Sequence, residues 1–354
     1  MSVLLISPAG TGGWRSNERA LAQSLDGLGV ENRVRRIDLG RLERLRHPWA
    51  TGSLIVAAAA RRELKRELRQ GNPGAVIAVN STAAMLFPFR RLRRLGIPVA
   101  IRIDCPASEQ FPGFAHALHR RLERRALRTA DLALTMGPQS TQLLRPLARQ
   151  TVEVPLGVAI SPPAAPTDPP VLVAYAGQPE FKGLDLIVRS WIELGGRRDR
   201  ATLVVTGVES GEAYAFLKRH GVAEPEGVRW AGILPRAEHD ELVAGATAFV
   251  SASRLEGYGI AQIEALAAGV PLVTTPSSGV YEAQPLAREL APELCAEPAG
   301  LADAIAASLQ LPPERRAEYA RRAAVLLAPY APDRVEPTLR EALSALGVPG
   351  PPGA

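Results

Sequence analysis

The stretch SASRLEGYGIAQIEALAAGVP, residues 251–271, combines the patterns of a strand end, a glycine loop, a helix and a second strand. An apolar run ends at Ser251, and a loop that contains Glu256 follows it. The pattern then predicts a helix that carries Glu264 and stops at Gly269, since glycine commonly ends helices. A strand, an accessible loop and a helix in this order are typical of doubly wound α/β domains.

The same stretch has the chemistry of a phosphate site. Its glycines let a ligand approach the backbone closely, and a helix start offers free N–H groups and a positive dipole end to phosphate. Glu256 lies in the loop, whereas Glu264 lies about 8 Å beyond the helix start at 1.5 Å per residue. From opposite sides of the phosphates, one carboxylate can reach the hydroxyls of a sugar and the other those of a ribose. The spacing therefore indicates a site for a nucleoside diphosphate sugar.

Short apolar, β-branched runs alternate with amphipathic stretches along the rest of the chain, as in parallel α/β sheets. The chain has 354 residues, which is enough for two domains of ordinary size. We therefore predict two Rossmann-like, doubly wound α/β domains that face a cleft at the carboxyl ends of their strands. The predicted segments are a first domain at residues 1–155, a proline-rich linker at 156–170, a second domain at 171–330, a helix at 331–346 that crosses back to the first domain, and a disordered tail at 347–354.

The composition narrows the class of protein. Hydrophobic residues make up 46% and charged residues 22%, which indicates a folded, soluble chain. The longest apolar run, residues 54–60, is far shorter than the roughly 20 residues of a membrane span. The first residues have the pattern of a buried strand and lack the features of a secretion signal. Two cysteines, Cys105 and Cys295, are too few for a disulfide framework or a zinc site, so a cytoplasmic location is expected.

Charge is distributed unevenly between the two halves. Residues 1–155 contain 25 basic and 12 acidic residues, a net charge of +13. The rest contains 17 basic and 24 acidic residues, a net charge of −7. A basic half joined to an acidic half indicates that each meets a different partner.

The string that begins at Ser253 resembles the retaining GT-B glycosyltransferases of family four, the glycosyl transferases group 1. Their hallmark is two glutamates separated by seven residues, within Ser-x-x-Glu-Gly-x-Gly followed by Glu-Ala-x-Ala-x-Gly-x-Pro. The resemblance implies transfer of a sugar from a nucleoside diphosphate sugar to an acceptor, with the anomeric configuration kept. It also implies that the second domain holds the donor and the first binds the acceptor. The matching residues are Ser253, Glu256, Gly257, Gly259, Glu264, Ala265, Ala267, Gly269 and Pro271.

A second match is the turn at residues 176–185, where the family carries an arginine and a lysine that face the diphosphate. Lys182 fits the lysine, but Gln178 stands where the arginine is usual, and Arg15 and Arg254 are candidates for the missing charge. The resemblance assigns catalytic roles to Glu256, Lys182 and Asp104. It assigns donor binding to Gly12, Gly13, Gln178, Lys182, Ile233, Glu256, Gly257, Tyr258, Gly259, Ile260 and Glu264.

The resemblance further implies chemistry without a bound metal or other cofactor, and the chain contains no Asp-x-Asp pair. The leaving diphosphate would help to deprotonate the acceptor on the face that it leaves. Protein groups would then mainly stabilise negative charge on the diphosphate. Donors with UDP, GDP or ADP all remain open.

The acceptor side is less defined. Trp14, Asp104, His116 and His119 are candidates, although the two histidines lie in an arginine-rich helix and are expected at the surface. Arginine-rich segments there are either solvated helix faces or a surface for anionic lipid, which would meet a lipid-linked or cell-envelope acceptor and make the protein peripheral on the membrane. Nucleic acid is not expected as a partner, because these segments have few aromatic residues to stack on bases.

Two other functions remain open. A nucleotide-sugar epimerase or a sugar phosphorylase can use the same fold. Gln178 in place of the usual arginine makes a catalytically inactive, nucleotide-sugar-binding partner subunit the alternative from another class.

Overall fold

The structure is a computed structural model that describes residues 2–8, 12–37, 39, 49–106, 116–161, 164–198 and 200–348. The chain divides into two compact units. Unit 1 comprises Met1–Gly157 together with Pro332–Ala354, and unit 2 comprises Val158–Ala331. No helix in the described part of the chain combines the length and the apolar character that a membrane span needs.

Unit 1 contains a parallel sheet of six strands in the order β2-β1-β3-β4-β5-β6, with helices between successive strands. Side chains of successive residues in a strand point to opposite faces of the sheet, so alternate residues of the central strands pack into two separate hydrophobic cores. Leu4 and Ile6 enter one core, whereas Val3 and Leu5 enter the other. The elements are β1 (Val3–Pro8), α1 (Gly12–Gly27), β2 (Asn32–Ile37), α2 (Trp49–Gln70), β3 (Ala75–Ala78), α3 (Ser81–Ala84), α4 (Phe89–Arg94), β4 (Val99–Ile103), α5 (Ala117–Thr129), β5 (Leu132–Thr135), α6 (Pro138–Leu144) and β6 (Thr151–Glu153).

Unit 2 contains a parallel sheet of five strands in the order β11-β10-β7-β8-β9. Its elements are β7 (Val171–Tyr175), α7 (Pro179–Lys182), α8 (Leu184–Leu194), β8 (Thr202–Thr206), α9 (Ser210–Arg219), β9 (Val228–Gly232), α10 (Arg236–Ala244), β10 (Ala248–Ser251), α11 (Ile260–Ala267), β11 (Leu272–Thr274), α12 (Ala283–Leu290), α13 (Leu301–Leu309) and α14 (Pro313–Leu327).

The first strand of unit 2, β7, lies between β10 and β8, so the strand order reverses between β7 and β10. Ligands of doubly wound sheets bind outside the carboxyl ends of the strands at such a switch point. The two parallel sheets confirm the predicted α/β fold class with two Rossmann-like domains.

The last helix, α15 (Pro332–Ala345), packs on unit 1, where Val335, Leu339 and Leu343 are buried in one of its two cores. The proline-rich segment is bonded to unit 2, because the backbone N–H groups of Ser161 and Thr167 donate to carbonyls of that unit. The division between the units therefore falls after residue 157 and again after residue 331. Of the predicted disordered tail, residues 349–354 lie outside the described residues.

The prediction that both histidines of α5 lie at the surface is wrong for His119. His119 is only 5% exposed, and its Nδ1 lies 2.8 Å from the Ser53 hydroxyl. Glu123, one helical turn later, is also buried and accepts a hydrogen bond of 2.6 Å from Ser81. Residues four apart share a helix face, so the inward face of α5 carries both polar groups. Burial first, and then the charges of His116 and Arg120, lower the pKa of His119 to about 4.

We expect His119 to make the protein less stable in acid. An exposed imidazole in the unfolded chain has a pKa of about 6.5, so between that pH and about 4 only the unfolded chain takes up the proton. The stability that neutral His119 confers is therefore complete well above pH 6.5 and falls by roughly 2–3 kcal/mol on reaching pH 4.5. The free energy of unfolding, measured by urea titration at pH 7.5 and 4.5, should fall by this amount more in the wild type than in His119→Gln. Equal losses in the two proteins would contradict the buried, neutral state.

Candidate functional site

The centre of the candidate site is an ion pair between Lys182 and Glu256. The Lys182 Nζ lies 2.6 Å from the Glu256 Oε2, and the side chains are only 19% and 10% exposed. Lys182 ends α7, just beyond β7, and Glu256 lies in the loop beyond β10. These loops meet because β7 and β10 are neighbouring parallel strands whose carboxyl ends share one edge.

Gly183 fixes the approach of the two loops. It has a φ of +63° between α7 and α8, and a Cβ at this position would collide with the backbone carbonyl of Ala252. The Arg254 N–H donates to the Phe181 carbonyl at 2.8 Å, which joins the loops a second time. The position next to Lys182 therefore requires glycine for its backbone conformation and for space.

Arg254, one candidate for the missing charge of the basic pair, is paired with a carboxylate. Its guanidinium binds both carboxylate oxygens of Asp185, at 2.8 and 2.7 Å. Burial favours the neutral acid at Asp185, but the hydrogen bonds and charge of Arg254 outweigh it and hold the pKa of Asp185 below its usual value. Gln178 is half-buried, and its carbonyl accepts the Lys182 N–H. Arg15, the other candidate, is exposed on α1 of unit 1.

The glycine loop leads directly into α11. Gly259 precedes the helix with a φ of +84°, and the ring of Tyr281 lies 3.0 Å from where its Cβ would be. The first N–H groups of α11 have no partner within the helix, as at every helix start. Gly257 accepts the Tyr281 N–H through its carbonyl, and Tyr258 is buried. Phosphate binding by this loop stays a prediction, which rests on the exposed helix start.

Glu264 lies in the second turn of α11 and pairs with Arg236, the first residue of α10. The Arg236 Nη1 lies 2.7 Å from the Glu264 Oε1, and its Nε lies 2.7 Å from the Asp240 Oδ2. Burial raises the pKa of Glu264, and the Arg236 charge offsets only part of that shift. Ile233, which follows β9 and precedes α10, is 75% exposed. As an exposed apolar residue, Ile233 is accessible to a ligand such as a base.

The sequence did not lead us to predict the buried side-chain amide of Gln262, which contacts Glu256. The Gln262 Nε2 donates to the Ser251 Oγ at 2.7 Å and to the Glu256 Oε2 at 3.2 Å. The sequence contained a signal for it, because Gln262 is a polar residue at a core position of a mostly apolar helix, IAQIEALA.

The remaining predicted residues belong to unit 1. Gly12 and Gly13 begin α1 after β1, and Asp104 follows β4, where one carboxylate oxygen accepts the Cys105 N–H at 2.8 Å. The side chain of Trp14 lies outside the described residues. Unit 2 thus brings together Lys182 and Glu256, with the rest of the glycine loop adjoining them. Among the residues that the structure describes, no group of three or more His, Cys, Asp or Glu could hold a metal ion.

Residues 160–325 match the family described as glycosyl transferases group 1, which confirms the resemblance found in the sequence. No curated protein matches the chain. Solved structures of GT-B glycosyltransferases share this fold, and three of them are described next.

The first is HepE from Anabaena in complex with UDP-glucose, with a TM-score of 0.71 and 16% identity, covering 98% of this chain and 100% of that one. Sucrose-phosphate synthase from Thermosynechococcus elongatus has a TM-score of 0.74 and 16% identity, with coverage of 98% and 99%. WaaG, a glycosyltransferase involved in lipopolysaccharide biosynthesis, has a TM-score of 0.67 and 15% identity, with coverage of 98% and 100%. At these identities the likeness shows the fold alone.

We expect Gly183→Ala to destabilise the protein strongly, because it adds both backbone strain and a collision with the Ala252 carbonyl. The matched control is Gly221→Ala, since Gly221 has a similar φ of +64° but no atom within 4 Å of its Cβ position. The control should lose about 1 kcal/mol of unfolding free energy from strain alone. Gly183→Ala should lose about 3 kcal/mol or more. Similar losses in urea titrations would show that the loops do not pack this closely.

Proposed function

We propose that this protein is a retaining glycosyltransferase, because residues 160–325 match the family described as glycosyl transferases group 1. It moves a sugar from a nucleoside diphosphate sugar to an acceptor. The observation that carries the proposal is the Lys182–Glu256 pair, which lies in the loops beyond β7 and β10, on the side of α11 where the glycine loop opens the helix. The likeness to HepE, whose structure contains UDP-glucose, supports a donor of this kind.

Each group of the site has a proposed role. Lys182 and the first N–H groups of α11 bind the diphosphate, because an ammonium and a helix start both favour anions. Glu256 accepts hydrogen bonds from hydroxyls of the donor sugar, and Glu264 accepts them from the ribose. Ile233 lies against the base.

In the proposed reaction the bond from the anomeric carbon to the diphosphate oxygen breaks. The acceptor oxygen bonds to the same carbon on the same face, and its proton passes to the departing diphosphate. Lys182 and the start of α11 stabilise the negative charge that develops there. No step requires a metal, in agreement with the family resemblance.

An inactive partner subunit is the second candidate, and one observation favours it. The family's arginine is replaced by Gln178, and Arg254 is bound to Asp185. Neutralisation of the diphosphate by the second unit therefore depends on Lys182, which is itself paired with Glu256. Such a protein would bind a nucleotide sugar without turning it over.

A donor panel tests the proposal. UDP-glucose, GDP-mannose and ADP-glucose are supplied with EDTA, and we expect one of them to raise the melting temperature and to be consumed. NMR of the first product should show the anomeric configuration of the donor, and Glu256→Ala should abolish turnover. Inversion, or activity only with added divalent metal, would contradict the mechanism. Binding of a donor without turnover under any acceptor condition would favour the partner subunit.

Calorimetry on two variants distinguishes a direct contact of Glu264 with the nucleotide from a general effect of charge. Glu264→Gln should weaken nucleoside diphosphate binding by about 10- to 150-fold, because a hydrogen bond to a charged group contributes about 1.5–3 kcal/mol. Asp240→Asn is the matched control, since it removes the other carboxylate that binds Arg236. We expect it to leave the calorimetric affinity within about twofold.

For the acceptor side we propose a lipid-linked or cell-envelope glycan that is reached at an anionic membrane. Support comes from a surface that we call the arginine face: Arg90, Arg91 and Arg94 of α4 with Arg121, Arg124, Arg125 and Arg128 of α5. All seven are exposed, and none has a hydrogen bond or ion pair with a side chain of the described residues.

One contact joins the two helices that carry the arginine face. Arg93 donates to the Thr129 carbonyl at 3.4 Å, which joins α4 to the end of α5. Leu95 and Leu118, which are 41% and 55% exposed, add apolar groups on the same two segments. The four arginines of α5 are spaced i, i+3, i+4 and i+7, so they repel one another unless an anion lies against them. An open groove of about 570 Å³ runs along them. The likeness to WaaG, which is involved in lipopolysaccharide biosynthesis, is consistent with such a partner.

We expect the protein to co-sediment with vesicles of phosphatidylglycerol and phosphatidylcholine but not with phosphatidylcholine alone. Each basic residue near the surface contributes roughly 1 kcal/mol, and salt weakens the attraction because screening acts over about 8 Å. Replacing the four α5 arginines of the arginine face by glutamine should reduce binding. The control replaces four exposed arginines of α2, Arg61, Arg62, Arg66 and Arg69, two of which lie within 4.0 Å of Glu63. Equal effects of the two variants would show that binding depends only on net charge, and would contradict a specific role of the arginine face.

A further inference from the structure

Gln262 is a polar residue in the interior of unit 2. Its side chain is only 3% exposed, and its neighbours Ile263 and Leu266 are fully buried. A buried amide is unfavourable unless its polar atoms are hydrogen-bonded. Gln262 meets this need through Nε2, which lies 2.7 Å from the Ser251 Oγ and 3.2 Å from the Glu256 Oε2.

The chemistry of the amide fixes its orientation. An amide nitrogen has two protons, and both are used, one on the hydroxyl of Ser251 and one on the carboxylate of Glu256. The reversed amide would place its oxygen against the carboxylate, which repels it. Gln262 can therefore serve Glu256 only as a donor.

The two donors to Glu256 meet on one oxygen. Lys182 lies 2.6 Å from Oε2, and Gln262 donates to the same atom from a different element. Within the described ranges, Oε1 accepts no hydrogen bond. Rotation of the carboxylate would break one of these bonds, so Oε1 is the oxygen left to face a ligand.

The support for Gln262 continues into the core. Ser251 lies at the end of β10, 3.4 Å from the Ser253 Oγ, and the Tyr281 hydroxyl hydrogen-bonds to it as well. Tyr281 is 1% exposed, and its hydroxyl lies 2.6 Å from the Thr274 Oγ1 on β11. It has a φ of +48°, an uncommon conformation for a residue other than glycine that persists where surrounding contacts hold it. A fixed chain of polar groups thus leads from β11 to Glu256.

We propose that Gln262 is a positioning residue of the transfer reaction: it holds Oε2 of Glu256 on the protein side and presents Oε1 to the donor sugar. This inference rests on the proposed function. Gln262 itself does not touch the donor. Its loss should impair the reaction of the sugar and leave binding of the nucleoside diphosphate intact.

The first test is Gln262→Leu, which keeps an apolar side chain of similar size in the helix. The probe is whichever of UDP-glucose, GDP-mannose or ADP-glucose the wild type consumes. We expect kcat to fall by about 10- to 100-fold, while calorimetry with the free nucleoside diphosphate gives a Kd within about twofold of the wild type. Parallel losses in both quantities would overturn the proposal, because they would assign Gln262 to the fold of the whole site.

The second test is Gln262→Glu, which places a second carboxylate beside Glu256. Two carboxylates in contact share a proton, so the pair titrates at a raised pKa. Below that pKa the proton takes the place of the amide donor, and above it the two anions repel each other. The ratio of variant to wild-type kcat should therefore fall by about tenfold or more between pH 5.5 and 8.5. A constant ratio would overturn the proposal even if the Leu variant is too unstable to assay.

The proposed function and the role of Gln262 can be contradicted separately. A wild type that consumes none of the three donors would contradict the proposed function itself. A wild type that turns over a donor, with both Gln262 variants equally active at every pH, would leave the transferase intact and overturn only the role of Gln262.

Discussion

The contact on which the candidate site depends is the buried ion pair of Lys182 and Glu256. A partly buried charge is unfavourable alone, and its partner must be held in place to offset the lost hydration. The fold supplies this restraint by placing β7 and β10 side by side at the switch point, so their loops meet. Gly183 allows the close approach, and the Arg254–Asp185 pair locks it. Each of these residues acts by fixing where two opposite charges lie.

The same arrangement pairs the cations of unit 2 around the proposed donor site with carboxylates. Lys182 is balanced by Glu256, and Arg236 lies between Glu264 and Asp240. In the proposed function, a diphosphate shares Lys182 with Glu256 and uses backbone N–H groups at the start of α11. In the proposed mechanism this sharing is useful, because the ammonium lies between the leaving group and the carboxylate that holds the sugar. Gln262 then matters because it keeps Glu256 in place while Lys182 serves both.

Local patterns in the sequence predicted the fold and the glycine loop, because a strand, a loop and a helix each leave a signal within a few residues. The two parallel sheets and the family resemblance are confirmed. The contact of Gly183 with Ala252 joins residues far apart in the chain, so no local pattern could predict it. The burial of His119 was missed because its arginine neighbours dominate the composition of α5, although its spacing from Glu123 placed it on the inner face. Roles of individual site residues stay predictions, since they depend on a ligand.

A double-mutant cycle on donor affinity tests most directly whether Lys182 and Glu256 act as one unit. Calorimetry would compare the wild type, Lys182→Met, Glu256→Gln and the double variant with the nucleoside diphosphate sugar that the protein binds. The account predicts a coupling of about 1 kcal/mol or more, because each single variant leaves the partner charge without its counterion. Losses that add within about 0.5 kcal/mol would show that the two residues act independently, and would contradict the account.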